Sequence, residues 1–277
     1  MEKFSILIAN YNNGKYFIDC YNSLINQTYE NWEVIIVDDA SSDNSVGAIR
    51  NIIRDDYRFK LYENTANKGC GYTKKKCMDY SSGDICAYLD PDDALFPNAI
   101  KYSVETLRKN TKIVAVYSQV MFCDENLIVQ KRFNKIKQIY NYNYFFNCPI
   151  QLGHLFAFRR KVYLKTLGIN ANLKSAVDQD LYLKILEHGN ARFIKKPLYK
   201  YRLHARGISQ ESSKENAKIS FAKVILESMH RRGLKKINNK KVPNTFNNHE
   251  EIFSLLDYQI GYFYRLKMKI IAIIQNF

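Results

Sequence analysis

Within the first hundred residues, short apolar runs without polar alternation recur at regular intervals, and each is followed by a segment of helical periodicity. The runs are FSILIA (4–9), EVIIVD (33–38), FKLYE (59–63) and DICAYLD (84–90). A strand with one wet face alternates apolar and polar residues, whereas a strand apolar throughout must be covered on both faces. Between the runs, Phe17, Cys20, Leu24 and Ile25 follow a helical spacing, SVGAIRNIIR (45–54) stands behind a Ser/Asp/Asn cluster able to cap it, and another helix is expected around 72–80. Strand and helix in strict alternation predict an α/β unit built on a parallel sheet.

The pattern changes after Pro97. A helix carries Ile100, Val104 and Leu107 on one face, and KIVAVYS and LIVQKRF read as strands joined by a turn near Asp124 and Asn126. HLFAFRR (154–160) is a short strand, DLYLKILEHG (180–189) a helix ended by Gly189, and PLYKYRLH (197–204) a last strand. The sheet is therefore expected to become mixed. Beyond Ser209 the chain turns helical and polar, KINNKKVPNTFNN interrupts it, and a final segment places Phe263, Leu266, Ile270 and Ile274 at helical spacing with Arg265, Lys267 and Lys269 nearby. Such a basic, aromatic helix suits either an anionic membrane interface or packing back on the domain. No window approaches the roughly 18 uncharged apolar residues of a membrane span.

Charge narrows the partner. The chain has 277 residues with 42 Lys+Arg against 27 Asp+Glu, a net +15, and from Leu203 to Phe277 there are 13 Lys/Arg against 6 Asp/Glu. An anionic partner is implied, whether nucleotide, nucleic acid or membrane phosphate. The six cysteines form no C-x-x-C pair and no zinc spacing, which predicts reduced thiols and a cytoplasmic setting. The N-terminus enters the first strand directly, so no secretory leader is expected.

Against this positive background, acid is concentrated at one place. In an open parallel sheet the ligand crevice lies at the carboxyl ends of the strands. After the first strand come Asn10, Tyr11 and Asn12, after the second Asp38 and Asp39, and after the fourth Asp90, Asp92 and Asp93. Carboxylates this close repel unless a cation neutralises them, and Mg²⁺ or Mn²⁺ does so with one or two carboxylates plus phosphate oxygens. D-P-D-D thus reads as half of a metal site completed by a phosphate ligand. Two plainer readings stand beside it: an acidic turn at Pro91, and helix capping by Asp38 or Asp39.

The run SILIANYNNGKYFIDCYNSLINQTYENWEVIIVDDASSDNS, followed by NKGCGYTKKKCMDYSSGDICAYLDPDD, resembles the nucleotide-sugar half of the family 2 glycosyltransferases over residues 4–97. SAVDQDLYLKILEHG and YRLHARGIS resemble that family's acceptor-side acid segment and its YRxH strand end. The resemblance implies a GT-A fold, a Rossmann-like, mostly parallel mixed sheet flanked by helices, with residues 1–97 as nucleotide-sugar half, 98–209 as acceptor half and 210–277 as a helical basic extension. It implies an inverting, metal-dependent enzyme that moves a single sugar from a UDP-sugar donor to a hydroxyl of a glycan or polyprenol-diphosphate-linked saccharide in bacterial surface polysaccharide synthesis. Its setting would be the cytoplasm, at the inner face of the plasma membrane.

Carried over residue by residue, the resemblance gives Asp39 the uracil imide, Tyr11 the base, and Ala9 and Asn12 the same nucleotide loop. Asp90 faces ribose and metal water, Asp92 binds the Mn²⁺ or Mg²⁺ directly, and Asp93 touches substrate or orients the loop. Lys74 stands where the family has arginine and keeps a contact to nucleotide without the bidentate fork. Ala9 replaces the common proline. Asp178 is the general base, with Val177 where a neighbouring Glu is usual; the rival reading of Asp178 is a helix N-cap, and Asp180 reads as a first-turn residue. His204, with Arg206 and Ser209 beyond, is expected at metal or diphosphate, and His154 lies beside the acceptor pocket, where packing is the favoured reading. The processive signature Q-x-x-R-W is absent, which predicts single additions. A nucleotidyltransferase and a nucleic-acid binder are the rival functions. G-C-G at 69–71 lacks the third glycine of a dinucleotide site.

Overall fold

The computed structural model describes residues 1–148, 151–204 and 214–274. The expected alternation forms as β1 (Phe4–Asn10), α1 (Phe17–Ile25), β2 (Trp32–Asp38), α2 (Ser45–Ile53), β3 (Phe59–Glu63), α3 (Cys70–Tyr80) and β4 (Ile85–Tyr88). β2 and β4 are buried at every position and β1 at all but Ala9, as their unbroken apolar composition requires. Ile6, Ile8, Ile35 and Ile36 are fully buried, each contributing about 1.5–3 kcal/mol of transfer free energy.

Beyond β4 follow β5 (Ala94–Leu95), α4 (Ala99–Lys109), β6 (Ile113–Cys123), β7 (Val129–Arg132), β8 (Ala157–Arg159), α5 (Arg160–Tyr163), α6 (Val177–Leu186) and β9 (Asn190–Arg202). Among the described residues the strands make one nine-stranded sheet in the order β3-β2-β1-β4-β8-β6-β9-β5, with β7 on β6. β3, β2, β1 and β4 are mutually parallel, β8 runs antiparallel to both β4 and β6, and β6 and β9 are parallel. This is the mixed continuation that the pattern after Pro97 predicts.

Two strands depart from expectation. β9 begins at Asn190, not Pro197, and passes Pro197 at a shift of register against β6 between Ser118 and Gln119, where a missing N–H is tolerated. β5 is only two residues long and pairs with β9, so the D-P-D-D turn leaves the middle of the sheet and is anchored at its far edge.

The C-terminal part comprises α7 (Lys214–Arg231), β10 (Lys236–Ile237), β11 (Lys240–Lys241), α8 (His249–Phe253) and α9 (Tyr262–Ile274). Asn238 and Asn239 adopt φ of 47° and 64°, turning KINNKK into a hairpin where sequence reading sees only a break. α7 buries Ala222, Val224, Ile225 and Met229, and Arg231 pairs with Glu187 at 2.8 Å just past α6. No helix among the described residues is long and apolar enough to cross a membrane. All six cysteines are free.

Candidate active site

The acids and their partners gather along the carboxyl ends of β1, β2 and β4. Asp38, at the end of β2, accepts from Asn10 Nδ2 (2.7 Å), from the Ser41 amide (2.8 Å) and from Ser41 Oγ (2.6 Å), closing the turn. Asp39 accepts from Asn64 Nδ2 (2.8 Å), the Lys68 amide (2.9 Å) and the Gly69 amide (2.8 Å). An ionised carboxylate offers about four acceptor positions, so one remains for a ligand N–H. Neither acid caps α2, whose cap residue is Asn44 without a side-chain bond, so the capping reading is displaced. Asn12 Oδ1 accepts from the amides of Ser42 and Asp43 and thereby ties the β1 loop to the β2 loop. Tyr11 is 49% exposed above this floor, and Ala9 lies just below it in β1.

Lys74 is placed by two glycines. Gly69 takes φ +89°, and a Cβ on Gly71 would stand 2.5 Å from Asn170 O and 2.6 Å from Leu173 O, so α3 can start only where its backbone meets the 170–173 loop. Gly71 N donates to Leu173 O at 2.9 Å. One turn later Lys74 Nζ donates to Asp178 Oδ1 (2.7 Å) and lies 3.8 Å from Asp90 Oδ1. Lys74 is buried, and although burial alone would discharge it, Asp178 and Asp90 raise its pKa well above the ordinary value. Burial would likewise raise Asp178, but Lys74, then His154, outweigh it and hold this carboxyl below the usual range.

Asp178 lies within the first turn of α6. The cap position belongs to Ala176 (φ 57°), which makes no side-chain cap bond, so the N-cap reading is displaced too. Asp180 stands in the first turn of α6 as expected and is fully buried there, bonded to Lys184 Nζ (2.7 Å) and the Asn170 amide (2.9 Å). It fixes the loop against which Gly71 rests. His154 stacks on Tyr199 with ring centroids 5.0 Å apart and acts on both Asp178 and Asp90 through its charge, so packing and electrostatics coincide there.

The acids of the D-P-D-D turn have separate surroundings. Asp93 is buried, accepting from Tyr199 Oη (2.7 Å) and the Arg202 amide (2.7 Å), which makes it the residue that orients the turn. Its pKa is pushed well up by burial and by Asp90 and Asp92. Asp90 is raised by burial, with Lys74 opposing and Asp178 reinforcing. Asp92 Oδ2 meets His204 Nε2 at 2.8 Å. Arg206 and Ser209 lie outside the described residues.

Among the described residues no three His, Cys, Asp or Glu side chains converge as a complete metal cage. Two donors nevertheless point at one another, Asp92 and His204, with Asp90 on the same turn. An oxygen and an imidazole donor beside a short-handed acid cluster fit Mn²⁺ or Mg²⁺ whose remaining ligands are phosphate oxygens and water.

Arg202 was not foreseen. Its guanidinium donates to Asp92 O (2.6 Å), to Asp19 Oδ2 (2.7 Å) and to Glu125 O, and it lies over the Tyr16 ring at 4.7 Å. One buried side chain thereby ties the D-P-D-D turn to α1 and to the β6–β7 turn. Asn64 was also missed, although its place directly after β3, at the same strand edge, marks it.

The family description Glycosyl transferase family 2 matches residues 5–167. The chain is 30% identical over 247 residues to the chondroitin synthase of Escherichia coli, covering 87% of this chain and 34% of that one; it spans about a third or less of such synthases. It is 31% identical over 213 residues to the UDP-Glc:alpha-D-GlcNAc-diphosphoundecaprenol beta-1,3-glucosyltransferase WfgD of Escherichia coli, covering 76% of this chain and 81% of that one. Among solved structures, TarS 1-349 of S. aureus in complex with UDP-GlcNAc superimposes with a TM-score of 0.66 at 16% identity, over 93% of this chain and 71% of that one, which establishes the GT-A fold. The chain belongs to glycosyl transferase family 2.

Proposed function

We propose that the protein transfers a single sugar, with inversion, from a UDP-sugar to a hydroxyl of a glycan or lipid-linked saccharide in bacterial surface polysaccharide synthesis, working at the cytoplasmic face of the membrane. The observation that carries this reading is the pairing of Lys74 with Asp178 at 2.7 Å and with Asp90 at 3.8 Å, beside the Asp92–His204 pair. Base, cation and metal donors share one rim. The UDP-sugar named for WfgD and the UDP-GlcNAc complex of TarS support the donor class. Residues 1–209 would carry the reaction, with the nucleotide on the first 97, and residues 210–277 would extend it.

In this reading Asp39 accepts the base imide N–H with the acceptor position left by Asn64, Lys68 and Gly69, and the exposed Tyr11 ring covers the base. Asp92 and His204 would hold Mn²⁺ or Mg²⁺, with Asp90 through water; the ion supplies neutralisation of charge on the leaving diphosphate. Lys74 adds a fixed positive charge at the same rim, where no solvent reorganisation is needed. Asp178 takes the proton of the acceptor hydroxyl as that oxygen attacks the anomeric carbon from the side opposite UDP. Lys74 bonds one oxygen of Asp178 and leaves its other carboxylate oxygen for that proton, while the incoming diphosphate offers the ammonium a further anion. Asp93, Tyr199 and Arg202 keep the turn from shifting while charge develops.

The test is a panel of UDP-sugars assayed for UDP release with and without Mn²⁺, with and without saccharide acceptors, alongside calorimetry of donor binding. Mn²⁺-dependent UDP release is expected from one or a few donors. Pyrophosphate release instead would establish a nucleotidyltransferase, and absence of heat with every nucleotide-sugar would remove the reading.

A further inference from the structure

α9 has two apolar faces, and the fold covers only one. On the covered side Ala272 is buried, and Tyr264 and Met268 close a crevice with Tyr140, Tyr142, Phe145 and Cys148. On the other side Phe263 is 84% exposed, Leu266 40%, Ile270 48%, Ile273 52% and Ile274 67%. Positions i, i+3, i+7, i+10 and i+11 lie along one side of a helix, so these five residues form a continuous stripe.

The charges beside the stripe decide what covers it. Helical geometry places Lys267 on one flank and Lys269 on the other, and both are exposed. From Tyr258 to Ile274 the sequence contains Arg265, Lys267 and Lys269 and no acid. A second copy packed stripe to stripe would press these cations together with nothing to neutralise them. A surface that is apolar within and anionic above accepts both features, because lysine stems lie along apolar surface while their ammonium groups rise to phosphate. The thirteen described residues of α9 measure about 20 Å, long enough to lie in a bilayer interface.

We propose that α9 docks on an anionic lipid bilayer, with Phe263, Leu266, Ile270, Ile273 and Ile274 in the acyl boundary and Lys267 and Lys269 at the headgroup phosphates. The docked helix carries the catalytic rim with it. Its inner face rests on the 140–148 segment, where Asn147 Nδ2 donates to Gln179 Oε1 at 2.6 Å, one residue from Asp178. The docking itself stands on α9 alone; its use, bringing Asp178 to a lipid-linked acceptor, rests on the transferase reading.

The test is flotation of the whole chain with phosphatidylcholine vesicles, either pure or containing roughly one-third phosphatidylglycerol, the range in which anionic lipid attracts basic segments. The protein should float with the anionic vesicles and much less with the neutral ones. Phe263→Glu with Ile270→Glu should lower partition at least about tenfold. Lys267→Gln and Lys269→Gln should each lower it about fivefold on anionic vesicles and leave neutral vesicles unaffected. UDP release in the absence of acceptor should be equal in all variants, which separates loss of docking from loss of the enzyme. A wild-type protein that remains unbound with both vesicles overturns the proposal, as does a dimer in light scattering that the two glutamates split while flotation is unchanged.

Discussion

The parallel strands bury acid at both ends and treat it in opposite ways. At the amino ends Glu33, its side chain 3% exposed, accepts from Ser5 Oγ, the Ser82 amide and Ser82 Oγ on one oxygen and from Lys3 Nζ on the other, with Lys60 Nζ at 3.4 Å. Burial alone would raise its pKa, yet the bonds from Lys3, Ser82 and Ser5 lower it to about 2. At the carboxyl ends Asp90 and Asp93 are raised, since burial and mutual repulsion outweigh what Lys74 and the backbone provide. A carboxylate saturated with donors has nothing left to bind. One short of positive charge keeps an unmet attraction for a cation, which the proposed reading assigns to the metal that accompanies the donor.

The comparison breaks most severely if the acid at the functional end proves dispensable. Asp92→Ala should reduce Mn²⁺-dependent UDP release about a thousandfold while leaving thermal unfolding nearly unchanged, since its carboxylate bonds only His204 among the contacts described. Full retention of the metal response would place the ion elsewhere. Asp178→Asn should cost about 10²- to 10⁴-fold in transfer and leave the heat of UDP binding intact, the range expected for loss of a general base. A variant that still transfers at the wild-type rate would assign the base to another group.

Much of the functional end is legible in sequence because its parts are local. V-D-D closes β2, D-P-D-D comes one residue after β4, and N-K-G stands immediately before α3, and the strands are read from unbroken apolar runs. What stays hidden depends on distant contacts. Arg202 binds Asp19, far along the chain in α1, and nothing around either residue marks the pairing. The opening of β9, ARFIKK, mixes charges with apolar residues at a sheet margin and precedes a proline, so its pairing with β6 is decided by tertiary context. The burial of Asp180 is equally invisible, because its partner Lys184, one helical turn on, suggests a solvated pair.

The structural end should fail in a different currency. Glu33→Gln is expected to cost stability of about 2 kcal/mol at neutral pH and to change donor binding little. Because the folded pKa lies below the ordinary 4.5, the wild-type contribution is complete above that value and is lost as pH falls toward about 2. Urea unfolding across that window should therefore show a steep acid limb in the wild type and a flatter one in Glu33→Gln. Equal limbs would mean that the Lys3–Ser5–Ser82 network does not set the acid sensitivity of the fold.

The smallest effect is the most informative about how the two ends differ, because it removes a buried cation that stands between two acids of the functional end. Lys74→Met takes the positive charge from between Asp178 and Asp90. Asp178 is held low by Lys74 and, secondarily, His154 against the upward pull of burial, so without the ammonium its pKa rises. A base must be deprotonated to accept a proton, so the acid limb of the transfer rate should move to higher pH in Lys74→Met. Lys74→Arg keeps a cation in place and should leave that limb near its wild-type position while altering donor affinity through the different geometry of the guanidinium. If both variants share the wild-type limb, the pH dependence belongs to a group other than Asp178, and the functional end would be as fully compensated as Glu33.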